Sequence, residues 1–296
     1  MKRDLKAYSK LALGRIIAGS TVVVGKLAVA SFPVFLISGL RLGIAAAILL
    51  FLLIKREKGI PSVNRKDLST MFLQAFTGVF LFSILLLYGL KMTSAIESGS
   101  IISITPAAVG LISVFFLRER LTWKKGIGIA VSVLGLLIIS ALGSSLSMGK
   151  GPNPLFGSFL ISGAVIGEAL FITFGKIESK RVSPLTISAL VSAFGFLMFL
   201  PLSIYEASSF DFSKVPLVGW VSIVYYGAIG TVFSYKLWQQ GISEVPASTA
   251  AVFVGFLPIS AVLLSSVVLE EPFAWIHAIG IAVILSGVAF IAKDSP

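Results

Sequence analysis

Long apolar blocks constrain this chain more than any other feature. Ten of them run near 11–30, 33–54, 68–90, 94–117, 122–141, 155–177, 184–205, 216–237, 247–269 and 273–292, bounded by charge, proline or glycine. Each approaches the ~20 residues that a helix rising ~1.5 Å per residue needs to cross a hydrocarbon core. Hydrophobic residues make up 56% of the chain and charged ones 12%, against roughly 25% charged in a soluble domain. A water-soluble fold could not hide that much apolar surface. Most gaps are short, so neighbouring helices run antiparallel with no room for a soluble domain. The expectation is an all-α integral membrane protein of ten transmembrane helices, with the lipid bilayer as its solvent.

The formal net charge of +11 raises the question of nucleic acid, which clustered Lys and Arg would bind through phosphates. Here the basic residues sit in the short gaps between apolar blocks, which is how a positive-inside topology is written. With both termini cytoplasmic, seventeen Lys and Arg fall inside and four, Lys26, Lys91, Lys150 and Lys214, fall outside; Arg15, Arg41 and Lys236 lie within spans. This predicts a multi-pass protein of the cytoplasmic (inner) membrane and no nucleic-acid partner.

An internal repeat divides the chain. A shift of 152 residues superposes Leu85 on Leu237, Gly89 on Gly241, Ala95 on Ala247, Pro106 on Pro258, Glu119 on Glu271, Trp123 on Trp275, and the IGIAV of 127–131 on that of 279–283. Apolar composition alone would match Leu, Ile and Val, but it would not align Pro, Glu, Trp and Gly in order. The halves are 1–148 and 149–296, with five spans each. An odd number per half makes the two repeats inverted, as in transporters that alternate access around a midplane site. The loops agree: LRERLTWKK at 117–125 is basic, whereas LEEPFAWIH at 269–277 carries no Lys or Arg.

Several segments carry a family resemblance over essentially the whole chain. They are GSTVVVGKLA in the first span, LRLGIAAAILL in the second, and the run from YGLKMTSAIESGS to LRERLTWKKGIGIAVSVLG. In the second half they are GTVFSYKLWQQGISEVPASTAAVFVGFLPIS and LEEPFAWIHAIGIAVILSG. Together they resemble the EamA-type family of the drug/metabolite transporter superfamily. The resemblance implies a ten-helix bundle with a central cavity that moves amino acids, nucleosides or related small molecules, often outward. Gly167-Glu168 departs from the aromatic and small residues that many members carry there.

Ionisable groups inside a membrane cost on the order of 2.5–3.5 kcal/mol each on insertion scales, so each asks for a partner or a function. Glu168 lies roughly 20 Å from the outer end of its span and Arg15 about 6 Å from the inner end of its own, by helical rise. These similar depths leave two readings: a structural Arg15–Glu168 ion pair, or a cavity-facing Glu168 that binds a cationic group or takes up a proton. Lys26 and Glu97 fall near outer span ends, where interfacial solvation, an ion pair or an outer gate would account for them. Arg41 reads either as a structural partner of helix carbonyls or as a receptor for a substrate carboxylate. Pro106 and Pro258, expected in mid-span, are candidate hinges or packing kinks. Tyr88, Phe171, Tyr226, Tyr235 and Phe253 are candidate cavity aromatics. Small-xxx-small pairs such as Gly163 with Gly167 predict close helix approach.

Enzyme classes find little support. There is no Cys, His277 stands alone, and no GxxxxGK[ST] phosphate loop is present. The expectation is a non-enzymatic secondary transporter without metal or cofactor, taking a small-molecule substrate. Coupling stays open between proton exchange, substrate exchange and passive facilitation.

Overall fold

The computed structural model of the chain describes residues 2–29, 31–57, 63–92, 101–102, 104–119, 122–143, 153–268 and 275–292. These residues are helical or lie in connecting turns, with no strand among them. We label the rods α1 (Lys2–Val29), α2 (Val34–Glu57), α3 (65–92), α4 (Thr105–Leu117) and α5 (Trp123–Gly143), then α6 (Pro154–Glu178), α7 (Pro184–Ser208), α8 (217–244), α9 (247–268) and α10 (Trp275–Ala292). Seven stretches are long and apolar enough to cross a membrane: Leu5–Gly25, Val34–Glu57, Arg65–Leu86, Leu155–Glu178, Pro184–Ser208, Leu217–Glu244 and Ala247–Val268. The expected spans at 94–117 and 273–292 begin outside the described residues and continue as α4 and α10.

Local chemistry explains where the rods start. Asn153 accepts from Phe156 N ahead of α6, Ser183 accepts from Thr186 N ahead of α7, and Asn64 accepts from Asp67 N ahead of α3. Each side-chain oxygen satisfies an amide that the first helical turn leaves without a partner. Pro154 and Pro184 occupy the first helical position, where a missing N–H costs nothing.

Two rods share a further irregularity. A π-helical stretch, Phe76–Leu81, interrupts α3, and another, Tyr226–Phe233, interrupts α8. They fall at matching positions of the 152-residue repeat. A π-bulge widens the helix, re-aims side chains and often marks a functional stretch.

The two prolines have different settings. Pro106 sits in the first turn of α4, as its helix is described, with Ile104 N donating to Ile101 O just before it. Pro258 lies midway along the α9 rod, just after a 3-10 turn at Phe253–Gly255 that interrupts its α-helix. Pro106 in a first turn removes no bond of α4, whereas Pro258 lacks the N–H that would reach back into the 3-10 turn, the distortion expected of a proline inside a rod.

Packing crosses between the halves. The most extensive contacts are α2 with α7 and α5 with α10; α1 lies against α8 and α9, and α6 lies against α3 and α4. The α2–α7 pair is capped reciprocally. Ser183 Oγ and Thr186 Oγ1 at the start of α7 donate to Glu57 at the end of α2 at 2.5 and 3.1 Å. Glu206, near the end of α7, accepts from Leu36 N at the start of α2 at 2.7 Å. A carboxylate at each helix N-terminus is favoured by the dipole as well as by the bond. The largest buried cluster includes Leu42, Met71, Ile172, Ile187 and Phe199, drawn from α2, α3, α6 and α7.

Candidate functional site

The middle of α1 and the middle of α6 meet over a pair of charges. Arg15 is 9% exposed, and its Nη1 donates to Glu168 Oε1 at 3.0 Å. The guanidinium also lies over the Trp238 ring of α8, 3.8 Å from its centroid. An ion pair this poorly solvated gains from attraction and loses from desolvation in comparable amounts, and the cation–π contact adds ~0.5–2 kcal/mol. Arg15 Nε has no hydrogen-bond partner. The site therefore keeps an unused donor beside a carboxylate, a combination suited to a ligand that is itself polar.

Close helix approach creates this geometry. A Cβ placed on Gly167 would stand 2.6 Å from Thr77 O, in the first turn of the α3 π-stretch. Only glycine lets α6 come that near, and the next residue is Glu168.

Aromatic residues extend the locus. Phe171, one turn beyond Glu168, packs on Tyr235 with ring centroids 5.9 Å apart, and Tyr235 lies one turn before Trp238 on α8. Tyr235 is near enough to Arg15 and Arg41 to interact electrostatically with both. Arg41, on α2, has its guanidinium 4.9 Å from the Tyr226 ring centroid, and its Nη1 lies 3.4 Å from Thr231 Oγ1. Thr231 in turn donates to Tyr226 O at 3.0 Å. The π-stretch of α8 thus presents two of the groups that receive Arg41. No described carboxylate pairs with Arg41.

One face of the bundle carries a second set of charges, gathered on the turn between α8 and α9. Glu119 accepts from Ala247 N at 2.7 Å, Ser248 N at 3.2 Å and Ser248 Oγ at 2.7 Å. Arg118 just before it adopts the left-handed conformation, φ 53°, which closes α4 and points the next residue across the bundle. Lys176 Nζ donates to the carbonyls of Ile242 and Ser243 at 2.9 and 3.3 Å, and Lys10 pairs with Glu244 at 2.5 Å. Anion at the α9 N-terminus and cations at the α8 C-terminus match both helix dipoles. The turn is held by α1, α6 and the end of α4 together.

The structure thus brings together Arg15, Glu168, Phe171, Tyr235 and, through Tyr235, Arg41. Tyr88, on α3, is 41% exposed. Glu97 lies outside the described residues, as does the side chain of Lys26. Phe253 stacks on Tyr8 and Phe256, at 5.3 and 5.8 Å between centroids, and belongs to packing near α1. Sequence reasoning missed Trp238, Thr231 and the Glu119 cap. Trp238 was within reach, since it follows Tyr235 by one helical turn; Glu119 was not, because its partners are backbone amides.

These features define a multi-span helical membrane protein with a paired charge and an aromatic shell in its interior. The sequence profile of the EamA-like transporter family matches residues 5–141 and again 155–293. The chain belongs to that family. It is 47% identical to an uncharacterized transporter of Bacillus subtilis, YetK, covering 100% of this chain and 90% of the relative. It is 27% identical to an uncharacterized transporter of Archaeoglobus fulgidus, covering 98% and 99%. A probable terminal-alkyne amino-acid exporter of Streptantibioticus cattleyicolor is 22% identical, over 79% of this chain and 76% of that one. One crystal structure shares the fold with a TM-score of 0.77 at 18% identity, covering 98% and 97% of the two chains.

Proposed function

We propose that the chain is a secondary transporter that exports small metabolites such as amino acids or related compounds across the cytoplasmic membrane, with both termini cytoplasmic. Ten helices form two inverted five-helix repeats, 1–148 and 149–296, which rock against each other around the Arg15–Glu168 locus. The Arg15–Glu168 pair carries this reading: it ties α1 of one half to α6 of the other, at mid-helix, beside an unused donor and three aromatic rings.

Several observations support the two-repeat arrangement. The π-stretches match in position, α1 and α6 each pack on two rods of the opposite half, and the Glu57 and Glu206 caps mirror one another. The exporter direction draws on the relative described as a probable amino-acid exporter. Alternating access requires the charged clamp on the α8–α9 turn to open, because it joins both halves on one face.

Reconstitution into proteoliposomes tests the proposal. Flux of radiolabelled amino acids, nucleosides and cationic toxicants is measured with and without a pH gradient. Saturable flux of at least one class is expected. A folded, monodisperse preparation that moves none of them would remove the transport reading.

A further inference from the structure

Two arginines share the interior shell, and among the described residues only one of them has a carboxylate. Arg15 is paired with Glu168 at 3.0 Å. Arg41 on α2 meets neutral groups: the Tyr226 ring 4.9 Å from its guanidinium, Thr231 Oγ1 3.4 Å from Nη1, and the Tyr235 side chain, which it also hydrogen-bonds. Tyr235 lies within electrostatic range of both arginines. Lys236, the next residue of α8, is a cation as well and cannot neutralise either. The described charges of the shell are thus unbalanced toward the positive.

Exposure shows that Arg41 borders open space inside the bundle. Ala47, Phe51 and Ile54 are exposed and mark the side of α2 that faces away from the protein. A helix turns about 100° per residue, so Arg41 stands roughly 120° from Ala47, on the side of the buried Ser38 and Ala45. It is nevertheless only half-buried. Glu168 behaves alike on α6. It stands roughly 160° from the exposed Ile166, yet its side chain keeps 15% of its exposure. Tyr226 and Tyr235 of α8 are half-buried too. Inward faces that stay accessible on α2, α6 and α8 mean that the rods do not close on one another around Tyr235.

The local backbone fixes the arginine in place. A Cβ on Gly227 would stand 2.9 Å from Arg41 O and 2.8 Å from Ile44 Cβ, so glycine lets the π-stretch of α8 lie directly against α2 at this level. Thr231 donates its own hydrogen to Tyr226 O, so toward Arg41 it can only accept. Ring and hydroxyls orient the guanidinium without neutralising it. They take only part of its planar fork of donors, and such a fork matches the two oxygens of a carboxylate.

We infer that Arg41 is the carboxylate receptor of the transport site, so that the molecules this chain moves are those carrying a free carboxylate. The inference rests on the transport reading above and narrows it. Nucleosides and cationic toxicants lack the group that Arg41 binds, and a cation entering the shell meets two arginines. A carboxylate brings the missing negative charge to a place where poor solvation strengthens the attraction.

Flux through proteoliposomes carrying the full-length protein tests this. The probes are radiolabelled amino acids and simple carboxylic acids, with uridine and tetraphenylphosphonium as carboxylate-free controls. Each amino acid that moves is then competed with its deaminated acid, which keeps the carboxylate, and with its carboxamide, which does not. The acid is expected to compete at least about ten-fold better than the amide. Arg41→Gln is expected to erase that preference, whereas Arg41→Lys, which keeps the charge and loses the fork, retains it at a raised KM. An arginine with a purely structural role would lower total flux and leave the preference unchanged. Equal competition by acid and amide in the wild type would overturn the inference with no variant needed, as would a preference that survives Arg41→Gln. Movement of uridine or tetraphenylphosphonium without any carboxylate would overturn it and leave the transport reading standing; no flux of any probe would remove both.

Discussion

Two carboxylates ten residues apart on α6 have opposite surroundings. Glu168, at mid-helix, faces Arg15 at 3.0 Å; Glu178, at the end, is fully buried with no partner for either oxygen. The protein supplies the countercharge at the first and withholds it at the second. A buried charge without compensation costs several kcal/mol, whereas a paired one recovers part of that cost through its partner. The first position joins α1 to α6 through an ion pair, and the second has no such partner.

Erasing that difference gives the largest expected effect. Arg15→Met turns Glu168 into a second unpaired carboxylate and is expected to cost about 3–5 kcal/mol, read as a lowered unfolding midpoint in nanodiscs. Adding Glu168→Gln should recover a substantial part, because no charge is then stranded. If the double variant is no more stable than Arg15→Met, the pair is not the source of the loss.

Gly167→Ala sharpens the comparison by disturbing only the approach that seats Glu168. Its Cβ would stand 2.6 Å from Thr77 O, and pushing α3 away from α6 is expected to cost about 1–3 kcal/mol. Glu119→Gln weakens the cap on α9 while leaving both α6 carboxylates alone. A loss of about 1 kcal/mol is expected, with faster amide exchange at Ala247 and Ser248 as its specific sign. Thr231→Val ranks last, below about 1 kcal/mol, since Arg41 keeps its contact with Tyr226.

The features visible in the sequence were those written in single residues or long periods. Hydropathy located the rods, and the similar depth of Arg15 and Glu168 made an ion pair one of the two readings of that pair. The repeat put 65–92 and 217–244 in register, but nothing in it announced the π-stretches, which depend on tertiary contacts such as the approach of α6 to Thr77. Pro258 falls in the middle of its rod as an apolar run with an internal proline suggests, but the 3-10 turn before it depends on backbone geometry that hydropathy does not record. Glu178 was overlooked for a related reason: beside Lys176, Lys180 and Arg181 it looks like one charge in a solvated loop. Burial of its side chain, a property of the packing of α6 on α3, separates it from them.

The most direct test of the central claim is amino-acid flux through proteoliposomes carrying wild type or Glu168→Gln at equal reconstituted amounts. If the Arg15–Glu168 locus is where substrate binds or coupling occurs, the variant retains less than about one-tenth of wild-type flux, as expected when a buried charged contact is lost, while its elution and helical content match wild type. A folded Glu168→Gln protein that transports at the wild-type rate would contradict the account, and the ion pair would then be a structural tie between the halves.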